Sequence, residues 1–174
     1  TTGASNVAVG YDAMSANTTG GSNTSLGDRA LTSNTTGGPN VAVGAWALKA
    51  NTTGVQNVAM GRDSLVTNTT GSCNTALGDN ALYANTARNN VAVGSQALKA
   101  NSTGTHNVGV GASALTANTT ANNNTGIGYK TLTANTTGQY NTAVGANSLD
   151  ANTTASYNSA FGHNALSANV SGSS

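Results

Sequence analysis

Glutamate is missing from the 174 residues, Pro39 is the only proline and Cys73 the only cysteine. Charged residues make up 6% of the chain, aromatic residues 4%, and the net charge is +1. Each scarcity excludes something. Without a basic patch there is nothing to neutralise a phosphate backbone, so no nucleic acid is expected as a partner. No apolar run approaches the roughly 20 residues that cross a bilayer as a helix, so no membrane insertion is expected. Five aspartates, two histidines and one thiol are a thin supply for acid–base or metal chemistry, so the expectation is no enzyme, no metal and no cofactor. Few large apolar residues would suit a disordered chain, but such chains normally carry more charge.

What the sequence does have is a repeat. Asn recurs at Asn6, Asn23, Asn40, Asn57, Asn74, Asn90, Asn107, Asn124, Asn141 and Asn158, a spacing of 17 residues with one step of 16. A second Asn series runs through Asn17, Asn34, Asn51, Asn68, Asn85, Asn101, Asn118, Asn135, Asn152 and Asn169, and Gly10, Gly27 and Gly44 open a glycine series of the same period. The consensus is N-[VT]-A-[VLIM]-G-x-x-[AS]-L-x-x-N-T-T-G-x-x. Seventeen residues are too few for a helix pair and suit one turn of a parallel β-solenoid, or β-roll. About ten turns stacked at the strand spacing of about 4.8 Å would make a single repeat domain on the order of 50 Å long.

The repeat divides into two strands and two corners. The first strand is N-V-A-V, in which alternation puts Val7 and Val9 on one face and Ala8 on the other. The Val9 position is always large and apolar, while the Ala8 position is Ala, Ser or Gly, which predicts close packing against it. Gly10, Gly27 and Gly44 mark a corner that excludes a Cβ. A second strand is expected around Leu31, Leu48 and their equivalents, and N-T-T-G forms the second corner. Stacked turns superpose identical side chains, so both Asn series are expected to form amide ladders that also satisfy corner backbone groups. The 16-residue step falls within Asn85–Asn89, in a corner, where it leaves the strand register intact. About two large apolar side chains per turn make a thin core, which predicts an obligate oligomer associating along small residues, the Ala8 or the Ala13 and Ala16 series.

N-T-A-V-G at Asn141–Gly145 and N-V-A-V-G at Asn40–Gly44 resemble the S-V-A-I-G unit of YadA-like heads of trimeric autotransporter adhesins. The array as a whole is similar to repeats of phage tail fibres. That resemblance covers essentially all ten repeats and implies a left-handed coil, three chains about an axis, and surface attachment. The unit here is longer than the adhesin one, with the extra residues near N-T-T-G.

Individual residues add little chemistry. His106 and His163 occupy different repeat positions many turns apart, and Cys73 stands alone at a variable corner. Asp12 and Asp63 share one column and Asp28 and Asp79 another, each pair three turns apart, about 14 Å on the stacking estimate. Gly109-Val110-Gly111 leads into a corner and not into a helix, against a phosphate loop. Tyr11, Trp46, Tyr83, Tyr129, Tyr140 and Tyr157 lie at variable, outward positions and are candidate contacts for sugars or partner surfaces. N-x-[ST] sequons fall on Asn17, Asn34, Asn51, Asn68, Asn101, Asn118, Asn135, Asn152 and Asn169, with two more on Asn23 and Asn123. A laddered Asn would not easily carry a glycan, which leaves Thr18, Thr19 and their equivalents as O-linked candidates.

The leading expectation is therefore a structural or adhesive extracellular fibre on a cell or virion surface, partnered by itself as a homotrimer and by a host-surface glycan or protein. A self-stacking filament or sheath subunit is the alternative, since the chain opens mid-repeat at Thr1-Thr2-Gly3 and stops in the same phase at Asn169-Val170-Ser171-Gly172, without caps. With no initiator Met and no signal peptide, the reading is of a processed or excised segment. An ice-binding threonine array is the third reading.

Overall fold

The structure, a computed structural model, describes residues 2–170 and 172. The end stretches expected to match in phase therefore fall partly, at Thr1 and Ser171, outside the described residues. Ten three-residue strands follow one another: Val7–Val9 (β1), Thr24–Leu26 (β2), Val41–Val43 (β3), Val58–Met60 (β4), Thr75–Leu77 (β5), Val91–Val93 (β6), Val108–Val110 (β7), Thr125–Ile127 (β8), Thr142–Val144 (β9) and Ser159–Phe161 (β10). They pair in sequence order as one parallel ten-stranded sheet. Each position meets its own counterpart, so that Val7 pairs with Thr24, Ala8 with Ser25 and Val9 with Leu26. The chain is an all-β parallel solenoid. Across the 16-residue step Thr75 still pairs with Val91, so the shortened corner leaves the register untouched.

Two expectations are corrected. The Leu-centred segment is not a second strand. Leu31, Leu48, Leu65 and their equivalents have φ near +50°, as do the residues two places earlier, such as Arg29 at +52° and Asp63 at +56°. A circuit of 17 residues with one short straight side must bend elsewhere, and these left-handed residues bend it. Such a conformation costs an L residue roughly 1–2 kcal/mol. It is offset by backbone bonds between turns: Leu31 N–H donates to the Ala47 carbonyl at 3.0 Å, Ser33 N–H to Lys49 at 3.1 Å and Arg29 N–H to Tyr11 at 2.8 Å. The hydrogen-bond ladder thus continues around the coil without a second sheet.

The second correction concerns sidedness. The small residues of the strands face inwards and are not available for association: Ala42, Ala59, Ala76 and Ala92 are fully buried, and in the Ala13 series so are Ala30, Ala47, Ala81 and Ala97. The Ala16 series is only half-buried at Ala50 and Ala84. A single large side chain, Met14 in the first turn and then a leucine from Leu31 to Leu149, fills the interior against the strand. A Cβ at Gly109 would lie 3.3 Å from Leu98 Cγ, so the core is one side chain thick. That thinness is why the middle strand residue must be small, and why the larger strand residues are turned outwards.

Candidate functional site

Two buried amide ladders hold the coil. In the first, each Asn places Oδ1 on the backbone N–H of the next: Asn23 N–H donates to Asn6 Oδ1 and Asn40 N–H to Asn23 Oδ1, both at 2.9 Å. Its Nδ2 crosses the interior to the far corner, as from Asn23 to the Gly37 carbonyl at 2.9 Å. In the second, Asn34 Nδ2 donates to Asn17 Oδ1 at 2.9 Å, and Asn51 Nδ2 to Asn34 Oδ1 at 2.9 Å. Asn34 Nδ2 also reaches the Gly37 carbonyl, so the two ladders converge on one oxygen there, as they do in every turn but the last, where Asn158 reaches Ser156 and Asn169 reaches Gly172. These amides satisfy the groups that have no backbone partner, the N–H of first-series Asn residues such as Asn23 and the corner carbonyl such as that of Gly37.

The sequons of the second series are placed accordingly. Asn34, Asn51, Asn68, Asn101, Asn118, Asn135 and Asn152 are buried, and the amide nitrogen that would carry an N-linked glycan is committed to the ladder, as from Asn118 to Asn101 Oδ1 and from Asn152 to Asn135 Oδ1. Asn17 is half-buried and donates to the Gly20 carbonyl. Thr18 donates its hydroxyl to the Thr35 carbonyl of the next turn at 2.9 Å, and Thr35 does the same to Thr52, whereas the second column, Thr19, Thr36 and Thr53, is exposed. Gly10, Gly27 and Gly44 have φ of 137°, 142° and 129°, and a Cβ on Gly10 would lie 2.3 Å from the Gly27 carbonyl oxygen. Conformation and space both demand glycine there.

The candidate aromatic residues spread over several columns. Tyr140 and Tyr157, on consecutive turns, come together with ring centroids 5.0 Å apart and 6° between planes. Trp46 is half-buried, donates from Nε1 to Asp28 Oδ2 at 3.2 Å, and lies beneath the Lys49 and Arg62 cations. Tyr11 sits under Arg29 and Tyr129 under Lys130, while Tyr83 stands apart. His106 meets Asn89 at 3.2 Å, and Cys73 is exposed with its sulfur 3.4 Å from Gln56 Oε1. Among the described residues no group of histidine, cysteine and carboxylate side chains could hold a metal ion.

The principal surface feature is one that sequence reasoning assigned to the wrong side. The third strand residue faces out in every turn: Val9, Leu26, Val43, Met60, Leu77, Val93, Val110, Ile127, Val144 and Phe161. Even within the stack these side chains stay open, with Leu26 at 47% and Met60 at 45% exposure. Beside this column runs the first strand residue, Val or Thr in nine of the ten strands. Together they make a strip on the order of 45 Å long, apolar throughout along the third-residue column and mixed Val and Thr beside it. The signal was present in the sequence: a column that keeps its apolar character while its shape varies from Val to Phe does not fit a single tightly packed slot.

Comparison with known proteins gives no match: no family model fits the chain, and no curated protein or solved structure is recognisably similar to it.

Proposed function

We propose that this chain is a non-enzymatic rod segment of an extracellular fibre, that it self-associates through the outer apolar face of its sheet as a homotrimer, and that the assembled rod serves surface attachment. The observation that carries this reading is the apolar strip along the rod. A contiguous apolar surface of this kind marks an association site. Its unbroken run along the in-register sheet suits parallel copies packed lengthwise about a common axis, the closed symmetry usual for homo-oligomers. The resemblance of N-V-A-V-G and N-T-A-V-G to the YadA-like head unit supports three copies and a place on a cell or virion surface. Sparse charge and an outer surface rich in Thr and Ser also suit a durable extracellular scaffold.

Light scattering across a dilution series tests the assembly. The expected species has about three times the 17.0 kDa chain mass. The double variant Leu77→Lys, Val110→Lys is expected to be monomeric, because a lysine pair in the strip would place unpaired charge in the interface. Wild-type chain that stays a folded monomer at every concentration would overturn the reading.

A further inference from the structure

The one irregular turn makes a site. Asn74 Nδ2 and Asn85 Nδ2 both donate to the Ala87 carbonyl, as Asn57 and Asn68 do to Gly71 one turn earlier. Ala87 therefore stands where Gly71 does. Thr86 keeps the role of the first threonine, its hydroxyl donating to Ser102. The residue missing from the 16-residue turn is thus the counterpart of Thr70. Its absence interrupts the exposed threonine column between Thr70 and Thr103, which stand two turns, about 10 Å, apart.

A notch of about 460 Å³ opens at this gap. Thr70 and Thr103 flank it, and Thr86, Ala87 and Arg88 lie between them. Its volume falls in the range of about 300–1,000 Å³ typical of small-ligand sites. Neither the Thr70 nor the Thr103 hydroxyl has a hydrogen-bond partner among the described residues, so both are free to donate and accept. Arg88 carries the only formal charge in the N-T-T-G corners, the stretches that run from each second-series Asn to the next first-series Asn. Its guanidinium is exposed and makes no ion pair among the described residues. The missing residue, the cavity and the lone corner charge all coincide in this turn.

We propose that the notch binds an acidic sugar unit carrying one carboxylate, a glycan element recognised by the assembled rod. This deepens the adhesive reading above and rests on it. Arg88 offers a planar two-pronged fork that matches a single carboxylate. Arg88 is the only cation among the described residues that line the notch, which disfavours a more highly charged phosphate ester. Free hydroxyls and threonine methyls on two sides suit the alternating polar edges and apolar faces of a pyranose ring, and the Ala87 and Gly71 floor admits it without a bulky side chain.

The test uses the full chain and titrates glucuronate and N-acetylneuraminate, with glucose and N-acetylglucosamine as neutral controls, followed by amide chemical shifts. Saturable shifts centred on Thr70, Ala87, Arg88 and Thr103 with the acidic sugars are expected. Arg88→Gln should weaken binding about 10-fold or more. Inserting one threonine between Thr86 and Ala87, which restores the 17-residue turn and fills the notch, should abolish it. Equal binding of neutral sugars, or no saturable shift, overturns the proposal. Immobilised acidic glycan then separates the two readings. Rods that adhere equally well with the notch filled remove the notch and leave adhesion standing. Free acidic sugar bound at the notch by rods that do not adhere removes adhesion and leaves the notch.

Discussion

The middle residue of each strand and the residue after it are neighbours in sequence and face opposite ways. The middle one is Ala, Ser or Gly in every turn, because it lies against a leucine in an interior one side chain thick. The next ranges from Val to Phe and stays apolar. An interior column fixes volume to within a methyl group, whereas an outer column fixes only character. The same division runs around the coil: both ladder Asn columns and the corner glycine are single-valued over the ten turns, whereas the Tyr11 and Trp46 columns admit charged, polar and aromatic residues alike and the Tyr140 column admits Ser, Pro, Gln, Cys, Asn, His and Tyr.

The sharpest way to break that contrast is one methyl group in a single-valued column. In Gly61→Ala the new Cβ would fall 2.5 Å from the Gly78 carbonyl oxygen, in a backbone with φ of 129°. Overpacking against backbone and a conformation closed to L side chains act together, each worth about 1–3 kcal/mol. A loss of about 3–5 kcal/mol is expected in chemical denaturation at fixed protein concentration, and a loss below about 1 kcal/mol would mean that the corner can open. The same methyl in the middle strand column should behave differently at two neighbouring turns. At Gly109 it restores the residue most turns carry, and stability should stay within about 1 kcal/mol of the parent, on the stabilising side. At Gly126 it would fall 2.9 Å from Thr131 Oγ1, in a column that is otherwise Ala or Ser. Gly126→Ala should cost about 1–3 kcal/mol, and adding Thr131→Ala should recover most of it. Additive effects in that double-mutant cycle would show that the large Thr131 and the small Gly126 are unrelated.

Much of this was legible in the sequence, for a physical reason. Stacking superposes equivalent residues, so an interior position reads as an invariant one, and the Asn6 and Asn17 ladders and the Gly10 corner could be named from their period alone. Two things were not legible. Leu48 and its equivalents follow the left-handed backbone path of the corner, and leucine is among the residues least expected there. Alternation along N-V-A-V correctly separated Ala8 from Val7 and Val9 but carried no sign of which face was interior. The inward choice followed from the width of the coil, which is a property of the whole turn and not of the strand. The notch at Thr70 and Arg88 was visible only as a missing residue, and its shape required the hydrogen bonds that align Ala87 with Gly71.

The smallest effect sharpens the contrast from the outer side, by showing that a permissive column still has a preference. The residue after the leucine is Thr32, Thr116 or Thr133 in three turns; the Thr116 and Thr133 hydroxyls donate to a backbone carbonyl of the preceding turn, at 3.2 Å to Gln96 and 2.9 Å to Ser113, while the Thr32 hydroxyl lies between the Asp12 carbonyl of the preceding turn at 3.2 Å and the Arg29 carbonyl of its own at 2.7 Å. Asp150 occupies the same column, and its Oδ1 is buried with no hydrogen-bond partner. An ionised carboxylate only accepts, so it cannot satisfy the carbonyl that a threonine hydroxyl would reach. By the same offset of 20 residues, that carbonyl belongs to Lys130. Asp150→Thr should therefore stabilise the coil by about 1 kcal/mol, by adding one neutral hydrogen bond and removing one orphaned oxygen. Asp150→Ala separates the two contributions: it removes the oxygen without supplying a donor, and should recover only part of the gain. If Asp150→Thr destabilises the coil, the column has no inward preference and the carboxylate is held by contacts that outweigh its missing partner.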